Sequence, residues 1–175
     1  MSLELKEEVY YMISKNKIDL MDKALKLAEK ALERGEVPIG ALVIDSEGAI
    51  IGKGYNQTEH RGSQIEHAEM IAIRHAYKKM DDWRLNGCWI YVTLEPCLMC
   101  FGLIQLSRLH GVVYGAPSTL FGVGLSRARE SIPSYAKDMV IEGGIQQEES
   151  LKLLKLFFAR ARDRKKRKGI CEAKI

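Results

Sequence analysis

Apolar positions along the chain alternate between helical and extended periods. The first helical run follows Asp19, a good N-cap, and carries Leu20, Ala24, Leu27 and Ala31 along one face. Gly35 is placed to stop it, because glycine enters the left-handed conformation that ends many helices. Ala41-Leu42-Val43-Ile44 and Ala49-Ile50-Ile51 read as two strands joined by Asp45-Ser46-Glu47-Gly48. Residues 56–64 are polar and predict a loop. A second helix is expected over residues 67–80, with Ala68, Ile71, Ala72 and Ala76 on its buried face. Residues 88–93 have the aromatic and β-branched content of a strand. Pro96 suits the first position of a helix reaching about Leu106. Residues 112–114 predict a short strand ended by Gly115, and residues 139–141 a weaker one stopped by Gly143-Gly144. A last helix runs from about Glu148 into the C-terminal end. This alternation predicts a three-layer α/β/α sandwich, one mixed sheet of about five strands covered by helices on both faces. No repeat, linker or boundary divides residues 1–175, which read as a single domain with an unperiodic N-terminal extension (1–18) and a basic C-terminal helix or tail (148–175).

Composition narrows the class. Apolar residues make up 46% and charged residues 29% of the 175, proportions of a folded chain rather than a disordered one. No stretch nears the roughly 20 apolar residues of a membrane span. The acidic start, with Glu4, Glu7 and Glu8, lacks the basic-then-apolar order of a secretory signal. The expectation is a cytoplasmic protein with no membrane partner. Its net charge of +4 is unevenly spread: residues 152–175 hold ten lysines and arginines against two acids, a local +8 that leaves the rest at −4. A basic end of this kind suits a polyanionic partner, or it is a solvated helix terminus whose cations the helix dipole favours. Charge alone leaves both open.

Candidate chemistry sits in two short motifs. The cysteines are Cys88, Cys97, Cys100 and Cys171, and in a reducing cytosol a Cys-x-x-Cys pair points to metal or redox chemistry. His67-Ala68-Glu69 precedes Pro96 by 27 residues, and each motif falls at the start of a predicted helix. Cysteines three apart on a helix share a side and can reach one cation. Zinc takes thiolate and imidazole ligands in a tetrahedron, and His67, Cys97 and Cys100 leave its fourth position for water. Exposed N–H groups at a helix start favour the thiolate forms, and bound zinc draws the pKa of water toward roughly 7. Glu69, two residues beyond His67, does not face the metal merely because His67 does. If the first helical turn aims it at the water, it is a general acid and base. Taken singly, a Cys-x-x-Cys can be a redox pair and a histidine an ordinary polar side chain. Together they support a catalytic zinc site, because a redox pair has no use for His67-x-Glu69 and a structural zinc wants a fourth ligand. His60, His75, His110 and Cys88 offer no spacing for one and read as structural or surface residues.

His67-Ala68-Glu69 with Pro96-Cys97-x-x-Cys100 matches the signature of the zinc-dependent cytidine and adenosine deaminases. Further runs carry a closer likeness: Glu36-Val37-Pro38-Ile39-Gly40-Ala41, Gly54-Tyr55-Asn56, Arg84-Leu85, residues 91–100 and Val112-Val113-Tyr114-Gly115-Ala116. Over about residues 19–162 the chain resembles the bacterial tRNA-specific adenosine deaminases. That resemblance implies the cytidine deaminase-like fold, one zinc per chain, and hydrolysis of adenosine to inosine at the first (wobble) anticodon position of a tRNA. It implies Glu69 as proton shuttle, Asn56 and the backbone at Ala68 as partners of the base, and Val37 as pocket wall. Phe157 and Phe158 would stack on splayed bases near the anticodon loop, and Arg160 and Arg162 would neutralise phosphate. A homodimer with active sites bordering the interface is implied in the same way. Without the resemblance, Asn56 reads as a turn residue, one phenylalanine as core, and the run from Lys165 to Lys168 as solvated.

One stretch departs from the family. Where its members have an aspartate, a basic residue and a later glycine, this chain has Ser118, Leu120 and Leu125. That loop contacts nucleotides around the target, so the departure touches recognition of the anticodon loop and leaves the metal chemistry alone. Ser118 can hydrogen-bond a ribose, without charge. A zinc deaminase of a free base or nucleoside, such as guanine or cytosine, is the second expectation, although it has little use for a basic helix. A non-catalytic RNA-binding protein with a structural zinc is the third; an intact Glu69 and only three evident ligands argue against it.

Overall fold

Helix α1 spans Lys17–Glu33 in a computed structural model that describes residues 16–122, 124 and 138–172, with side chains as far as residue 164. Most of the 1–18 extension, Leu125, and the side chains of Lys165 to Lys168 lie outside these residues. The helix starts ahead of Asp19: Asn16 is its N-cap, its carbonyl accepting the N–H of Leu20, and Asp19 lies in the first turn, where its charge suits the helix dipole. The expected stop is present. Gly35 is left-handed at φ +78°, and the Glu36 N–H returns to the Ala31 carbonyl in a Schellman closure.

Strands β1 (Gly40–Ile44) and β2 (Ile50–Tyr55) form the expected hairpin, but β2 runs on past Ile51 to Tyr55. Its glycines are a packing requirement here. A Cβ on Gly52 would sit 2.1 Å from the Ala72 carbonyl oxygen, and one on Gly54 2.1 Å from that of Ala68. Helix α3 therefore lies directly on the backbone of β2. Between them the polar stretch contains a short helix, α2 (Thr58–Arg61), in place of the expected loop. Helix α3 spans Ala68–Met80, strand β3 Trp89–Leu94 and helix α4 Leu98–Leu106. Cys97 is the N-cap of α4, so Pro96 precedes the helix rather than occupying its first position. Strand β4, Gly111–Ala116, passes through Gly115, where a Cβ would lie 2.4 Å from Ser150 Oγ. Strand β5 (Val140–Gly143) and the long helix α5 (Gln147–Glu172) complete the described chain.

The five strands form one mixed sheet in the order β2-β1-β3-β4-β5. Strand β1 is antiparallel to β2 and β3, while β3, β4 and β5 are parallel. Alternate residues divide the core between the two faces. Val43, Ile90, Val92 and Val112 meet α3 and α4 through Ala72, Ile73, Phe101 and Ile104. Leu42, Ile44, Trp89, Tyr91 and Val113 meet α1 through Leu20, Met21, Ala24 and Leu25, with Leu153 of α5 packed against the same cluster. Burying side chains of this size contributes roughly 1.5–3 kcal/mol each, so both faces must be covered, as the three layers achieve. The site follows from the topology. Because β2 and β3 are both antiparallel to β1, they run the same way, and each leads into a helix on the same face. Helices α3 and α4 therefore begin at one edge of the sheet. No helix among the described residues is long and apolar enough to cross a membrane.

Candidate metal centre and substrate pocket

Each of these two helices starts with a potential ligand at its N-cap: His67 for α3 and Cys97 for α4, both in extended backbone (φ −67°, ψ 153° and φ −73°, ψ 169°). Neither side chain makes a capping hydrogen bond. They turn toward each other instead. His67 Nδ1 lies 3.7 Å from Cys97 Sγ and 3.5 Å from Cys100 Sγ. In a tetrahedral zinc site, bonds of about 2.05 Å to nitrogen and about 2.3 Å to sulfur put such a pair about 3.6 Å apart. The three donor atoms lie within 4.8 Å of one another, and among the described residues no other group of three or more His, Cys, Asp or Glu is so arranged. His75 bonds the Lys53 carbonyl at 2.7 Å, His110 meets the Trp89 ring edge-on, and burial pushes the Cys88 thiol up to about 11.

The three donors are close enough to shift one another's titration. Hydrogen bonds from Cys100 and His67 bring Cys97 down to about 4, so it is a thiolate at neutral pH. The bond to Cys97 is the main cause that raises His67. Cys100 is pushed far up, first by its bond to Cys97 and then by burial. Glu69 lies beside the cluster at 4% exposure, with Oε2 lacking any hydrogen-bond partner. Burial raises its pKa, opposed by the charge of His67. An unpaired buried oxygen costs about 1–3 kcal/mol. One nitrogen, two sulfurs and an orphaned carboxylate oxygen fit a zinc centre that keeps one position open.

Around this centre the predicted pocket residues are held by two buried carboxylates that the sequence motifs did not single out. Asn56 follows β2 and is buried. Its Nδ2 donates to Glu36 Oε2 at 3.4 Å, and its Oδ1 accepts the Thr58 hydroxyl at 3.0 Å. Glu36 also accepts the N–H groups of Glu59 (3.1 Å) and His60 (2.7 Å), the second and third residues of α2. This external cap explains why a polar stretch becomes helical. The second carboxylate, Glu95, accepts the Ser118 N–H at 3.0 Å. Ser118 Oγ accepts the Phe121 N–H at 3.2 Å, so its hydroxyl closes a turn of its own loop. A bridge between Cys97 and Gly122 ties that loop to the metal edge. Val37 is half-buried next to Glu36, and Ala68 is fully buried in the first turn of α3.

The remaining predicted residues lie elsewhere. Phe157 and Phe158 pack edge to face at 5.3 Å on α5, with Phe158 49% exposed and Arg160 and Arg162 exposed beyond them. That helix covers the α1 face of the sheet and is not brought to the metal cluster. A cavity of about 750 Å³ opens at the far edge of the sheet between Trp83, Gln105, Arg108, His110 and Met139, and contains none of the predicted site residues.

The chain is similar to known proteins. The family model for the zinc-binding region of cytidine and deoxycytidylate deaminases matches residues 14–116. A tRNA-specific adenosine deaminase of Streptococcus pyogenes is 36% identical over 167 residues, covering 95% of this chain and 99% of its own. A solved structure from a study of A-to-I editing by tRNA:A34 deaminases at the wobble position superposes with a TM-score of 0.72 at 36% identity, over 78% of this chain and 99% of that one. A guanine deaminase from Nitrosomonas europaea has a TM-score of 0.73 at 23% identity, over 81% of this chain and 84% of that one, a likeness of fold.

Proposed function

The chain belongs to the zinc-binding cytidine and deoxycytidylate deaminase family, and from that premise we propose that it converts adenosine to inosine at the wobble position of a tRNA. The convergence of His67, Cys97 and Cys100 beside buried Glu69 carries this reading. Zinc, held by those three side chains, supplies the Lewis acidity that makes water nucleophilic near neutral pH. The water oxygen bonds to C6 of the purine, the C6–N6 bond breaks, and ammonia leaves. Glu69 takes one proton of the attacking water to N1 of the ring and then passes the second to N6, so that the amine leaves as ammonia and the oxygen remains as the carbonyl. Its burial keeps those protons from bulk solvent. Asn56 and the main chain at Ala68 hold the base, and Val37 walls the pocket.

Support for an RNA substrate over a free base comes from the edge around the pocket. Arg164 of α5 comes within 3.9 Å of where a Cβ on Gly35 would sit, beside the turn that leads to Val37. Lys30 and Arg34 lie over the Tyr55 ring, 4.9 and 5.4 Å from its centre, next to Asn56. Cations and aromatic faces placed together suit phosphate and unstacked bases, and Phe157, Phe158, Arg160 and Arg162 extend the same chemistry along α5. Deamination of a free base is the second reading, favoured by one observation: Ser118 brings no charge to its loop, and its hydroxyl accepts the Phe121 N–H within that loop.

Zinc-loaded protein incubated with an anticodon stem-loop bearing adenosine at the first position, and in parallel with guanine and cytosine, separates these readings. Inosine in the RNA is the expected product. Ammonia from guanine or cytosine with no inosine would overturn the leading reading, and tight RNA binding without any turnover would favour a non-catalytic binder. A cytoplasmic homodimer of single-domain chains belongs to the same proposal. Leu98 (75% exposed) and Met99 offer a partner subunit an apolar surface beside the cysteines.

A further inference from the structure

We propose that Glu36 is a positioning residue for the deamination, setting the direction in which the Asn56 amide presents its donor and acceptor to the base. The proposal rests on the reading that Asn56 meets the base.

Glu36 is anomalous for its place. It occupies the second position past a helix end, where an apolar residue commonly packs, yet its side chain is 1% exposed. It forms no salt bridge among the described residues. Burying a charge in this way costs several kcal/mol unless hydrogen bonds compensate. All three of its side-chain hydrogen bonds go to residues 56–60: His60 N–H at 2.7 Å, Glu59 N–H at 3.1 Å and Asn56 Nδ2 at 3.4 Å. The same segment is tied at its start by Asn56 N–H to the Ile39 carbonyl, and by Gln57 N–H to the carbonyl of Glu66, the residue before His67. Glu36 thus braces a loop that begins at the pocket and ends at the metal edge.

The two ends of an amide are similar in size and differ only in hydrogen bonding. A carboxylate can only accept, so Glu36 draws the NH₂ end of Asn56 toward itself, while the Thr58 hydroxyl donates to the oxygen end. One N–H and one lone pair remain for a base edge that offers an acceptor beside a donor. Glu36→Gln keeps the volume and changes this logic. Its oxygen is required by the His60 N–H, which leaves its NH₂ opposite both the Glu59 N–H, whose bond is lost, and the NH₂ of Asn56. Of these two partners only the Asn56 amide can turn to accept. Asn56 turns over, the Thr58 hydroxyl becomes the acceptor, and the base meets the reversed pattern.

The test is a double-mutant cycle on zinc-loaded protein: wild type, Glu36→Gln, Asn56→Ala and the double variant, each assayed for inosine formation, zinc content and melting temperature. Glu36→Gln should lower kcat/KM by about 10- to 100-fold, the loss expected when a site's polar pattern mismatches its substrate, with zinc content unchanged. In the Asn56→Ala background the same change should cost less than about twofold, because coupled residues do not add. Full additivity would overturn the proposal. If Glu36→Gln does not fold, Glu36→Asp, which keeps the charge but withdraws the carboxylate from Asn56, takes its place in the cycle with the same two outcomes. The side-chain amide resonances of Asn56 give a readout that needs no turnover. They should move in Glu36→Gln, and unchanged resonances would also sink the idea. A wild type that makes no inosine but deaminates guanine or cytosine would refute the substrate reading alone, and the cycle then runs on that base.

Discussion

At the edge where α3 and α4 begin, every proposed catalytic group is wholly or partly buried and fixed by two elements at once; along α5, Phe158, Arg160 and Arg162 are exposed and fixed by one. The contrast follows from what each region must do. Ligation and proton transfer fail if distances change by an ångström, so His67, Cys97 and Cys100 are set where two helix starts meet. Attraction of phosphate falls off slowly with distance and tolerates side chains that move. On the proposed function, converging backbone carries the chemistry and the cationic surface of α5 would carry recognition.

The strongest way to break this division is at Glu69. Glu69→Gln should cut turnover by about 10²- to 10⁴-fold, the range for losing a general acid and base, with zinc stoichiometry unchanged by elemental analysis. Residual activity near wild type would mean that the proton moves elsewhere. Next comes the support of the site. Gly54→Ala sets a methyl against the Ala68 carbonyl and should destabilise the fold by about 1–3 kcal/mol, as overpacking does; thermal melts and zinc content should fall together. On the recognition side, replacing both Arg160 and Arg162 with alanine should leave the melting temperature in place. It should reduce the salt dependence of RNA binding, by about 0.7 in log–log slope for each single-strand phosphate that is no longer neutralised. An unchanged slope would make the arginines mere solvated surface. The smallest effect concerns Glu66, beside His67. Two hydrogen bonds from Arg74 (3.2 and 3.3 Å) hold its carboxyl below the usual range. A lowered folded-state pKa stabilises at neutral pH, and the gain is lost as pH falls through that value. Because Arg74 is 46% exposed, Arg74→Ala should cost at most about 1 kcal/mol at pH 7. Denaturant titrations should show the gap to wild type closing below about pH 4, the ordinary glutamate range; a gap that persists there would assign it to packing.

Periodic and motif-bearing stretches were legible in the sequence. The continuous apolar runs of residues 41–44 and 88–93 reflect strands buried on both faces, and the 3.6-residue spacing in α1 and α3 reflects one buried face; local sequence records both directly. The candidate ligands were legible because each of their two motifs, His67-x-Glu69 and Cys97-x-x-Cys100, has a local spacing of its own, although 30 residues separate His67 from Cys97. What the sequence concealed depends on partners far along the chain. Helix α2 forms because Glu36, 24 residues before His60, caps it. Strand β2 continues through two glycines because α3 needs the space. Pro96 lies ahead of α4 because Cys97, in extended backbone, holds the N-cap position. Glu36 left one faint signal, an acid in the place after a Gly35 helix stop where an apolar residue is usual.

The glycines of β2 carry a consequence for how such a chain can change over time. Most helices rest on a cushion of side chains, and each substitution alters the thickness of the cushion. The first turn of α3 rests on bare main chain at Gly54, whose dimensions no mutation elsewhere can alter. His67 is thereby measured from a fixed datum, as a machined part is measured from its bed. Side chains around the rim can then change while His67 keeps its place.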